Sequence, residues 1–124
     1  MEIADITERV REEIRGVRVD ESENSLHFYF NPNGYDEHHK RFPLGRITRD
    51  GESLLFDSSE YDKTRESFYS KIASGERIKM KGNNPIGKRV NVVYGETFGK
   101  LLNLLRSKYS TEKIDKHKTR LEVR

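Results

Sequence analysis

The apolar residues of this chain are few, but they recur with a period, and the period changes along the sequence. Ile3, Ile6, Val10 and Ile14 are spaced by three and four, the mark of a helix with one apolar stripe. Leu26, Phe28 and Phe30 alternate with His27 and Tyr29, the mark of a strand with one buried face. Phe98, Leu101, Leu102 and Leu105 return to helical spacing. A chain of 124 residues that is 32% apolar and 36% charged has little to bury. Its stripes must therefore meet in one small core under heavily charged surfaces. Composition alone leans toward disorder, and the periodicity argues against it.

Turn chemistry divides the rest. Gly16 suits the stop of the first helix. Val17–Val19 and Ser25–Phe30 read as strands. Phe42–Thr48 and Ser53–Phe56 flank Arg49-Asp50-Gly51-Glu52, a hairpin signal because such turns need positive φ. Asp57-Ser58-Ser59-Glu60 offers caps for a helix from Tyr61 to Ala73, ended by Gly75. Arg77–Met80 and Arg89–Tyr94 read as strands around the loop Gly82–Gly87, the second because Val90, Val92 and Val93 are β-branched. A helix over Glu96–Tyr109 follows. This order is no regular βαβ alternation. It predicts an α+β domain over residues 1–109, an antiparallel sheet of five to six strands with three helices packed on one face. Residues 110–124 read as a basic tail, mobile or ending in a short strand at Leu121–Val123.

Charge is unevenly spread. Residues 1–64 carry 9 Lys/Arg against 15 Asp/Glu, and residues 65–124 carry 15 against 6, so a total of +3 hides halves of −6 and +9. Such asymmetry points to a polyanion facing the second half. There is no cysteine, which excludes disulfides and thiolate metal sites and favours a cytoplasmic location. No apolar run reaches the ~20 residues that span a bilayer, and the acidic N-terminus is unlike a signal peptide. No membrane partner, metal or cofactor is expected.

Candidate chemistry is sparse. Gly82-Asn83-Asn84-Pro85-Ile86-Gly87-Lys88 begins the phosphate-loop pattern GxxxxGK, but Arg89 stands where a magnesium-binding Ser or Thr belongs. The pattern also wants a helix next, and a strand is expected there. The same segment still gathers Lys79, Lys81, Lys88 and Arg89 without an acid between them, and Asn83 and Asn84 can offer polar contacts. Lys100, Arg106 and Lys108 continue the basic half. His27 and Tyr29, on the polar face of their strand, are candidates for stacking on unpaired bases. His38 and His39 are adjacent, which suits metal ligation poorly. They are candidates for acid–base work only if the fold supplies a partner, and nothing in the spacing of His27, His38, His39 and His117 selects a pair.

The expectation is a non-catalytic nucleic-acid-binding domain, for RNA or DNA, that tracks the phosphate backbone with its basic half. A protein-interaction module, such as a small viral or accessory inhibitor or a homodimer, is a second class the opposed charges allow. A small histidine-dependent nuclease is a third.

Overall fold

The computed structural model describes residues 3–31, 42–73, 78–79, 85–86 and 88–123. Eleven elements follow in order: α1 (Ile3–Glu13), β1 (Val17–Ser22), β2 (Ser25–Phe30), β3 (Pro43–Asp50), β4 (Ser53–Asp57), α2 (Ser59–Ala73), β5 (Ile78–Lys79), β6 (Pro85–Ile86), α3 (Lys88–Lys108), β7 (Tyr109–Lys113) and β8 (Lys118–Val123). Six strands form one antiparallel sheet in the order β1-β2-β3-β4-β8-β7, and β5 and β6 pair separately. The fold is α+β, with three helices against one face of an antiparallel sheet. Among the described residues, no helix is long and apolar enough to cross a membrane.

The sheet sorts its side chains by parity. In β2, Leu26, Phe28 and Phe30 are buried while Ser25, His27 and Tyr29 are half-buried, as one covered and one open face require. Cross-strand register carries that division through the sheet: Val19 faces Phe28, Leu26 faces Ile47, Ile47 faces Phe56, and Leu54 faces Leu121. Those residues join Ile6, Val10 and Ile14 of α1, Tyr61 and Phe68 of α2, and Tyr94, Leu101, Leu104 and Leu105 of α3 in a single core.

Two glycines are demanded by local geometry. Gly16 follows α1 with φ +75°, the left-handed conformation that ends a helix cheaply only in glycine. At Gly45 the Phe56 ring crosses β3, and a Cβ there would stand 2.5 Å from ring carbons.

Two segments differ from the sequence reading. Arg89–Tyr94, expected as a strand, is the first part of the 21-residue helix α3. The reason is the apolar stripe, which continues backward from Leu101 through Thr97 to Tyr94, all buried. Burying Tyr94 among Phe30, Phe42, Tyr61 and Phe68, with its hydroxyl donating to the Pro43 carbonyl, outweighs the weak β preference of the valines. Val92 and Val93 are left exposed.

The second segment is the C-terminal one, expected as a basic tail, mobile or ending in a short strand at Leu121–Val123; that strand is present, as part of the longer β8. Residues 109–123 form a hairpin, with Tyr109 facing Val123 and Lys113 facing Thr119. Strand β8 lies between β4 and β7, so the last strand in sequence is interior to the sheet.

Candidate functional site

A cleft of about 190 Å³ opens on the helical side of the sheet, between α3 and the β7–β8 hairpin. Its floor is apolar: Phe56 and Leu121 from the sheet, and Phe98, Leu102 and Leu105 from α3. Arg106 shares the α3 stripe of Leu102 and Phe98, four and eight residues back, so the helix brings its guanidinium to the same opening. Lys113 lies on β7, on the sheet face turned to the helices, and Lys116 and His117 come from the β7–β8 turn. Ser58 and Asp62 complete the wall from the start of α2.

The turn that carries His117 is fixed from both sides. Asp115 Oδ1 accepts the N–H groups of His117 and Lys118, each at 2.9 Å. Those amide bonds, His117's above all, hold the Asp115 carboxyl below the ordinary aspartate range. The His117 carbonyl accepts the Ser58 N–H at 2.9 Å. Ser58 is also the N-cap of α2, since its carbonyl takes the Asp62 N–H at 3.0 Å. The cap of one helix thus clamps the turn of a distant hairpin.

The imidazole is positioned as well. His117 Nδ1 lies 2.6 Å from Asp62 Oδ2, and Ser58 Oγ donates to the same oxygen at 3.1 Å. Serine, histidine and aspartate therefore meet here, but not as a nucleophilic triad. In a triad the hydroxyl bonds the imidazole, whereas here it bonds the carboxylate. What the geometry makes is a carboxylate-oriented histidine. With Nδ1 directed at Asp62, a neutral ring keeps its lone pair on Nε2, the nitrogen on the far side.

The open face of the sheet differs electrostatically. There Arg18 is 3.1 Å from Asp20, Arg46 is 3.7 Å from Asp57, and Arg120 is 3.8 Å from Glu112. One cross-strand row reads Asp20, His27, Arg46, Asp57, Lys118. Burial would raise the Asp57 carboxyl, but hydrogen bonds from Ser59 and the charges of Arg46 and Lys118 outweigh it and hold the group low. Cations on this face sit beside carboxylates. In the cleft, Arg106, Lys113 and Lys116 share a wall with the Asp62 carboxylate, which His117 and Ser58 engage.

The expected site residues scatter. Arg106 lines the cleft. Lys100 and Lys108 lie elsewhere on α3, where the helical pitch turns them roughly 120° and 160° away from Arg106. His27 and Tyr29 stack on each other at 6.4 Å on the open face. Burial, then Asp20 and Glu60, raise the Tyr29 phenol, so its surroundings are acidic. His38, His39, Lys81, Asn83 and Asn84 lie outside the described residues, as do the side chains of Lys79, Lys88 and Arg89. One objection to a phosphate loop falls, because α3 begins at Lys88. The other stands: Arg89 replaces the Ser or Thr, and Pro85–Ile86 inside the pattern pairs with β5.

The sequence reading missed Ser58, Asp62, Lys113, Lys116 and His117 as a group. Ser58 and Asp62 are sufficiently explained as helix-start residues, and 55 positions separate Asp62 from His117. The available signal was the turn-forming Asp115 just before the histidine. Comparison with family models, curated proteins and solved structures finds no match to this chain.

Proposed function

We propose that the cleft beside α3 binds a segment of single-stranded nucleic acid, the phosphate against Arg106, Lys113 and Lys116 and a base over the Phe98–Leu102 floor. The observation that carries this reading is geometric: Arg106 from α3 and Lys113 and Lys116 from the β7–β8 hairpin meet at one cleft around an apolar floor. Phosphate contacts supply affinity and an apolar platform accepts any base, so such a site binds with little sequence preference. The volume, about 190 Å³, is below the ~300 Å³ of ordinary small-molecule pockets. It suits one nucleotide unit of a longer strand better than an enclosed cofactor.

The test is the salt dependence of oligonucleotide binding. One phosphate neutralised in the cleft gives a slope of about −0.7 in log affinity against log salt for a single strand. Replacing Arg106, Lys113 and Lys116 together by alanine should flatten that slope and abolish binding at moderate salt. The pair Lys100→Ala and Lys108→Ala should leave the slope nearly intact. A wild-type slope near zero, or a triple variant that binds as well as the parent, overturns the reading.

A further inference from the structure

We propose that the cleft not only binds RNA but cleaves it by internal transesterification, with His117 as the general base. This rests on the reading of the cleft as a phosphate site. His117 is held from several sides. Its ring nitrogen Nδ1 is 2.6 Å from Asp62, its N–H is tied to Asp115, and its carbonyl takes the Ser58 N–H at 2.9 Å. A hydrogen bond this exposed adds little to stability. The contacts do fix a tautomer and an orientation, which are the properties a proton-transfer group needs. Among the described residues, Nε2 makes no hydrogen bond, and the side chain is 35% exposed. The ring that must take a proton is open to solvent.

The cations beside it fit the same chemistry. When a ribose 2′-oxygen attacks the neighbouring phosphorus, negative charge builds on the phosphoryl oxygens. Arg106, Lys113 and Lys116 at the same opening are suited to stabilise that charge. In the step, His117 Nε2 accepts the proton of the 2′-hydroxyl as the 2′-oxygen forms its bond to phosphorus. The bond from phosphorus to the 5′-oxygen of the next nucleotide breaks, and that oxygen takes a proton from a cleft lysine ammonium. Water returns the imidazolium proton to the lysine. The products are a 2′,3′-cyclic phosphate and a 5′-hydroxyl, with no other reactant consumed. Asp62 is a positioning residue in this scheme. DNA has no 2′-hydroxyl, so it is bound and left whole.

The experiment incubates the full chain with a short fluorescein-labelled RNA of mixed sequence, or the matching DNA, in EDTA. It reads binding by anisotropy, and products by gel and mass. The expected result is RNA cut to cyclic-phosphate ends and DNA bound uncut. His117→Ala should bind as wild type with cleavage lowered about 100- to 10,000-fold, and added imidazole should restore part of it. His117→Asn, which keeps an amide to face Asp62 but offers no base, should behave alike and guards against misfolding of the alanine variant. Asp62→Asn should lower kcat while leaving KM and the thermal midpoint nearly unchanged. RNA that is bound but uncut by wild type, or cut equally well by the folded His117 variants, overturns the activity and leaves the binding reading standing. RNA and DNA that are both unbound overturn the two together.

Discussion

Tyr109 is a tyrosine only 1% exposed whose hydroxyl has no hydrogen-bond partner among the described residues. Burial, helped by the Asp5 carboxylate, pushes its phenol up to about 12. The native chain therefore holds that proton through a range where the unfolded chain, with a phenol near 10, releases it. A folded value above the unfolded one means stability that is present below about pH 10 and falls as pH rises toward 12. Tyr109→Phe should remove this residue's share of the alkaline loss. At neutral pH it should be neutral or stabilising by up to about 1 kcal/mol, because an unmatched hydroxyl leaves the core. Urea unfolding of both chains at pH 7 and pH 11 measures each effect. Asp115 carries the opposite sign. Its carboxyl is held low by the amides of His117 and Lys118, so the turn's order is complete above the ordinary aspartate value and is lost as pH falls through the depressed one. The NMR shifts of those two amides should titrate with a midpoint below about 3.9, the free value, and Asp115→Asn should abolish that titration.

Helix α3 shows how far a stripe can override local preference. Its first turns contain Val90, Val92, Val93 and Gly95, none favourable in a helix interior. What fixes the helix is the buried series Tyr94, Thr97, Leu101, Leu104 and Leu105. The Thr97 hydroxyl bonds the Val93 carbonyl at 2.9 Å. The exposed valines should then be replaceable where the stripe is not. Val92→Glu should change unfolding free energy by no more than about 0.5 kcal/mol, whereas Leu101→Ala should cost about 2–5 kcal/mol. A strand over this segment, with its valines in the core, predicts a large cost for the first substitution. Guanidinium denaturation of the two variants separates the cases.

The whole molecule depends on its last residues. Strand β8 hydrogen-bonds β4 on one side and β7 on the other, and Leu121 is 1% exposed against Leu54. The β7–β8 turn also delivers Lys116 and His117 to the cleft. Ending the chain after Tyr109 removes an interior strand and one wall of the site. The shortened chain should show no cooperative unfolding transition by circular dichroism and no oligonucleotide binding. A dispensable tail would leave the transition in place.

The periodic segments were legible in the sequence because side-chain burial decides them locally. Ile6, Val10 and Ile14 require a helix, the alternation of Leu26, Phe28 and Phe30 a strand, and Gly51, at φ +63°, the hairpin between β3 and β4. The α+β class followed from their order. The C-terminal hairpin was not legible, since Tyr109 and Leu121 are its only buried side chains. Backbone bonds to β4 hold it in place, and such bonds leave no pattern in sequence. The same holds for the cleft. The second half's positive charge could be counted, but Arg106, Lys113, Lys116 and His117 become neighbours only when α3 and the hairpin pack side by side. Asp62 meets His117 only because the start of α2 adjoins that turn. Residue types and their periods determined the elements; packing decided which charges share a surface, because electrostatic proximity depends on distances in space and not on positions along the chain.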